Sequence, residues 1–273
     1  MPFARKYIEV LTFVLVWMAA GWIFHLGVYA YLLIGVPLVV VFQLFIGRQP
    51  LRHLWARDAT SFRLSLIGIL LAALLVLIPG YDLFFVELPK RSWLVALWLV
   101  CAMAGAVFAA FALCRQRASA ARRGLPSFMV AVFIGIAIMA ASAVAGHRSM
   151  EIPLPKLVFL FKRFLLLFTV CFTLEEVAFR GALDSHLYRS PSNGRASSSP
   201  WLSAIFVSAL WGIWHLPTLP TPSAPAFAAA IPALIIIHTL VGVPLSFCWR
   251  GSGTLVLPAA AHALIDAYRD TLL

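Results

Sequence analysis

Nine stretches of mostly apolar residues, each near the length that crosses a bilayer, follow one another along this chain, with arginines gathered between them. A span takes about 20 residues at the α-helical rise. In hydrocarbon only a helix or a closed barrel leaves no backbone group unpaired. The runs fall at 8–26, 28–46, 64–78, 93–113, 128–145, 157–183, 201–216, 227–247 and 254–268, the third, seventh and ninth being short. They predict an all-α polytopic transmembrane helix bundle of about 8–9 helices, eight if the first two form a hairpin that does not fully cross. Composition agrees: 63% of residues are hydrophobic and 11% charged, against about 25% charged in a soluble domain.

The formal net charge of +11 does not form a basic face for nucleic acid, and nucleic-acid binding is excluded as a function. The positive charge falls in short clusters: Arg5/Lys6, then Arg48, Arg52, Arg57 and Arg63, then Arg115, Arg117, Arg122 and Arg123. That is the positive-inside distribution of cytoplasmic loops. It sets the N-terminus in the cytoplasm and the C-terminus outside, in an integral multi-pass protein expected in a bacterial inner membrane. The opposite segments are poorer: 218–226 carries no charge, and 80–92 carries two of each sign. Segment 80–91 reads as an interfacial loop, and 190–200, rich in Ser, Pro and Gly, as a solvated connector. Cys101, Cys114, Cys171 and Cys248 lie far apart with no CxxC pair, so neither a disulfide framework nor a thiolate metal site is indicated. No cleavable signal peptide is evident, and the first helix is expected to stay.

Ionisable groups divide the chain. Residues 1–150, about five helices, hold almost none in their apolar interiors, whereas 151–273 carries Glu175, Glu176, Arg180, Asp184, His215, His238, His262 and Asp266. Such side chains cost several kcal/mol in hydrocarbon, about 2.5–3.5 each on insertion scales, so they mark function by default. The first part reads as packing and the second as a catalytic membrane core. In the sixth run Glu176, Arg180 and Asp184 are four apart and predict a charge ladder on one helix face. Glu175 is rotated about 100° from Glu176, so one carboxylate can face a cavity while Arg180 holds the other. His215 follows Trp211 by one turn, and Gly212 permits close helix approach. Counted along the predicted spans, His215 lies about 9 Å deeper than Glu175, which calls for a tilted or displaced seventh helix. His262 and Asp266 share a face of the ninth helix. His238 is the weakest candidate, read as a hydrogen-bonding residue between helices.

Two Glu, two His and an Asp on three membrane helices suit activation of a water molecule: one group takes the proton and others stabilise an oxyanion. The same donors suit Zn2+, held if present by Glu175, His215 and His262, although HExxH is missing. On the favoured reading no cofactor is required. A proton-coupled transporter is a second reading of buried Glu, His and Arg, and a non-catalytic scaffold or immunity protein a third.

These residues resemble the CAAX-protease and bacteriocin-processing family of intramembrane proteases, which includes the type II CAAX prenyl endopeptidases and the Abi proteins. Its pattern runs EExxxR, FxxxH, then HxxxN or HxxxD. Glu175-Glu-Val-Ala-Phe-Arg180 fits the first motif and Trp211-Gly-Ile-Trp-His215 the second, with Trp for Phe. His262-Ala-Leu-Ile-Asp266 fits the third, and Arg250-Gly-Ser-Gly-Thr-Leu-Val-Leu-Pro258 looks like its lead-in. The resemblance covers about residues 150–273. It implies an endopeptidase acting on a membrane-anchored or lipid-modified protein or peptide at the bilayer. Glu175 would be the base, assisted by His215, with His262 and Asp266 shaping the oxyanion site and Glu176, Arg180 and Trp211 supporting. An ionised Asp266 cannot donate a hydrogen bond, so its expected task is to orient His262.

Overall fold

The computed structural model describes residues 2–188, 199–220 and 223–272. Among the described residues a helix lies in each of the nine expected runs: α1 (Pro2–Ile23), α2 (Val28–Val41), α3 (Leu66–Tyr81), α4 (Trp93–Leu113), α5 (Ala118–Ala145), α6 (Leu154–Cys171), α8 (Pro200–Trp214), α9 (Ala224–Ser252) and α10 (Val256–Leu272), with the short α7 (Ser185–Tyr188) added. Among the described residues there is no sheet, only one isolated bridge between Ala56 and Thr254. The expected connector at 190–200 lies mostly outside the described residues.

Helix starts follow local chemistry. The Ser65 hydroxyl accepts the Gly68 N–H at 3.2 Å ahead of α3, and the Ser223 hydroxyl accepts the Ala226 N–H at 3.3 Å ahead of α9, each covering one of the donors a first turn leaves open. At the end of α9, Gly253 takes a left-handed φ of 73°, and its N–H reaches the Trp249 carbonyl, a stop that glycine adopts without steric penalty.

Six of these helices are long and apolar enough to cross a membrane: Ala4–Ile23, Val28–Ile46, Leu66–Glu87, Trp93–Leu113, Ala118–Ala145 and Ala224–Ser252. Their outward faces carry exposed large apolar side chains such as Leu66, Ile67, Leu70 and Phe133. Water does not tolerate so much contiguous apolar surface, and a bilayer does. The chain is an integral multi-pass membrane protein. Helices α6, α8 and α10 are shorter or carry charge. Protein surrounds most of α8 and α10, the latter burying His262, Ile265 and Thr271 among others, whereas α6 is exposed over its first half and buried only from Leu166 on.

The largest departure from the sequence expectation is in the sixth run, which is not one helix. After Cys171 the backbone tightens, with Phe172 N–H bonded to Thr169 O at 3.1 Å and Thr173 N–H to Val170 O at 3.0 Å. It resumes at Glu175 and widens into a π-helix over Val177–Asp184. Irregular backbone at membrane depth persists only where protein satisfies it. Here Trp55, from the segment between α2 and α3, donates its indole N–H to Phe172 O at 2.7 Å. The Thr173 hydroxyl lies 3.2 Å from Cys101 O and 3.1 Å from Val170 O.

Candidate active site

The break in the sixth helix positions both glutamates at the start of the resumed turn, and they diverge. Glu175 faces a cavity. Its Oε2 accepts the indole N–H of Trp211 at 2.9 Å and lies 3.7 Å from His215 Nε2 and 3.9 Å from His262 Nε2. Glu176 turns inward. Its Oε1 lies 2.9 Å from His262 Nδ1 and its Oε2 3.6 Å from Arg180 Nε, with Glu176 and Arg180 shut off from solvent. The Arg180 guanidinium also sits 4.9 Å over the Trp211 ring, a favourable place for a desolvated cation.

His215 caps the C-terminal end of α8 instead of lying within a helix. Its Nδ1 is 2.8 Å from Trp211 O. A carbonyl only accepts, so Nδ1 carries the hydrogen and the Nε2 lone pair faces Glu175. The expected depth mismatch is absorbed because the sixth element runs through α7 to Tyr188, beyond the predicted end at 183. Five more residues carry Glu175 up to about 7 Å further in at α-helical rise. Gly212 permits the approach of α9: a Cβ there would sit 2.6 Å from Leu234 O.

His262 stands between carboxylates, Glu176 at Nδ1 and Asp266 Oδ2 at 3.4 Å from Nε2. The group bonded to its Nδ1 is therefore Glu176, from another helix, and Asp266 approaches the other nitrogen. Asp266 Oδ1 is in turn held by Arg269 Nη1 at 3.0 Å. The predicted ladder from Arg180 to Asp184 does not form. Helical side chains lean toward the N-terminus, so Arg180 runs back to Glu176. Asp184 is instead taken by Arg250 of α9, at 2.9 Å from Nε and 2.5 Å from Nη2.

Two cavities of about 320 and 290 Å3 meet at Glu175, His215, His262, Asp266 and Arg269. His238, the weakest sequence candidate, belongs to this place. Its ring centre is 4.3 Å from that of His215 and 4.6 Å from that of Trp211, and its Nδ1 is tied to Leu234 O at 2.8 Å. Arg269 escaped the sequence reading, although it continues the face of His262 and Asp266 at the helical spacing i, i+4, i+7. Arg163 and Asp270, ion-paired across α6 and α10, had no local signal to betray them.

Among the described residues no three His, Cys, Asp or Glu side chains are grouped so as to hold a metal ion. The donors expected for Zn2+, Glu175, His215 and His262, converge on one carboxylate oxygen at 3.7 and 3.9 Å. The other nitrogens of both imidazoles are already bonded.

Residues 157–268 match the family model described as type II CAAX prenyl endopeptidase Rce1-like. Neither the curated proteins nor the solved structures contain a match to the chain.

Proposed function

We propose, because residues 157–268 form a domain of the type II CAAX prenyl endopeptidase Rce1-like family of intramembrane proteases, that this chain hydrolyses a peptide bond with a water activated by Glu175. The observation that carries the reading is convergence. One Glu175 oxygen receives the Trp211 indole and is faced by the Nε2 atoms of two histidines from two further elements. Separations of 3.7 and 3.9 Å are too long for direct hydrogen bonds and leave the three atoms able to share a water.

The residues divide the work as follows. The water donates to Glu175 and to the His215 lone pair, and its oxygen attacks the carbonyl carbon as Glu175 takes a proton. His262, with a carboxylate at each nitrogen, is placed to act as a charged donor to the developing oxyanion, a role worth several kcal/mol in a water-poor site. Asp266 and Glu176 keep that imidazole charged and aligned, and Arg180 fixes Glu176. Glu175 then returns its proton to the leaving nitrogen. The substrate class is a membrane-associated or lipid-modified polypeptide.

The test is co-expression with candidate membrane-anchored substrates, comparing wild type with Glu175→Gln for product size. A positioned general base contributes about 10²–10⁴-fold, so the product should fall below detection. Undiminished cleavage would remove Glu175 from the role of base. Metal analysis of the purified protein, with and without chelator, tests the zinc alternative.

A further inference from the structure

The bundle has two chemically different ends. At one end the arginine-bearing segments are tied to one another. Arg57 N–H bonds to Gly253 O at 2.8 Å and Arg57 Nη1 to Arg250 O at 3.0 Å. Arg115 reaches Ser61 O at 2.8 Å and Arg63 O at 3.2 Å. Lys6 reaches His186 O at 2.8 Å. The two longest arginine clusters, 48–63 and 115–123, therefore lie on one face with the start of α1, and between them they carry eight arginines and one acid. At the other end the charges are mixed or absent. The chain is helical through Glu87 instead of forming an interfacial loop from 80. Asp82 and Glu87 in that last stretch offset Lys90 and Arg91, while 215–220 carries only His215 among ionisable residues.

The larger cavity leads from Glu175 to the second end. Its outer lining is Tyr29 in the first turn of α2, Thr218 just past α8, Arg269 and Asp270 at the close of α10, and Arg163, midway along α6 and ion-paired with Asp270. Tyr29, Thr218, Arg269 and Asp270 each belong to the arginine-poor end of their element, and Arg163 reaches Asp270 from the middle of α6. His215 stands fifteen residues beyond Pro200, about 22 Å from the arginine end of α8. Charged side chains at the rim keep it wet, while the apolar lining of Leu32, Trp98 and Leu167 continues inward.

Arginine-rich short loops stay in the cytoplasm. We infer that the proteolytic cavity opens on the non-cytoplasmic face, so that its substrate is a membrane-anchored polypeptide whose scissile segment lies outside the cytoplasm. This rests on the protease reading of Glu175 and specifies its substrate. A lipid-modified tail confined to the cytoplasm would have to carry its polar backbone and terminal carboxylate across hydrocarbon to reach Glu175, which the bilayer opposes strongly.

Cysteine labelling tests the inference independently of catalysis. Cys114 is exposed at the arginine end and serves as the cytoplasmic reporter once the other three cysteines are replaced. Thr218→Cys at the cavity rim, or Ser149→Cys in the exposed turn between α5 and α6, reports the other face in a background without Cys114. In intact cells a membrane-impermeant maleimide should label the Thr218→Cys and Ser149→Cys variants and leave Cys114 unlabelled until the membrane is opened. The reverse pattern would overturn the inference. A fusion substrate with one cleavable segment, anchored in either orientation, completes the test. Glu175-dependent cleavage should occur when the segment is outside, and cleavage only of the cytoplasmic form would overturn the assignment of face. Loss of both cleavages with the labelling as expected would count against the substrate assignment and the protease reading, not against the orientation.

Discussion

The buried pair of Glu176 and Arg180 yields a prediction whose size can be worked from the structure. The two charges are 3.6 Å apart and neither is exposed. At an effective dielectric of about 20 their attraction is about 5 kcal/mol, offset by the cost of bringing both out of water. Removing one partner leaves the other charge buried without compensation, a loss of about 3–5 kcal/mol. Arg180→Met and Glu176→Gln should each destabilise by about that much. The double variant should lose far less than the sum of about 6–10 kcal/mol, because no orphan charge remains. Reversible denaturation in detergent micelles, followed by tryptophan fluorescence, measures the three differences. Cleavage by the double variant should survive in part, since glutamine can still accept from His262 Nδ1. Additive losses in the cycle would refute the argument, as would a double variant as inactive as Glu175→Gln.

Other expectations follow from single contacts. Trp55→Phe leaves the buried Phe172 carbonyl without its 2.7 Å indole donor; the expected loss is about 1–3 kcal/mol, read by the same denaturation. Gly212→Ala forces a Cβ to 2.6 Å from Leu234 O and should push α8 from α9 at about 1–3 kcal/mol, lowering cleavage because His215 follows directly. His215→Ala should cut the cleavage rate by about 10²-fold or more with little change in melting. His238→Ala should have the smaller effect on rate, since its ring packs on His215 and its Nδ1 is tied to Leu234 O.

The distinction between what was legible in the sequence and what was not follows the range of the interaction. Apolar runs and their lengths announce helices because backbone groups in hydrocarbon have no other partner, and all nine were visible that way. Contacts inside one helical segment were visible too: Glu176 to Arg180 and His262 to Asp266 are four apart and meet at 3.6 and 3.4 Å. The break after Cys171 was hidden because no Pro or Gly announces it. It is held open by Trp55, whose position 117 residues away leaves no periodic trace.

The two glutamates show the division most plainly. Spacing along the chain determined that Glu175 and Glu176 point in different directions, and that Arg180 lies within reach of the second. Only the tertiary structure decided that Glu176 also holds His262, that Asp184 is claimed by Arg250 rather than Arg180, that His238 stands beside His215, and at which end the cavity opens. Helix geometry brings residues three and four apart within reach of one another, and Arg180 and Asp184 show that a partner from another helix can still claim one of them. Which side chains meet across helices depends on tilt, depth and the exact residue at which each helix begins, and these are settled only when the whole bundle packs.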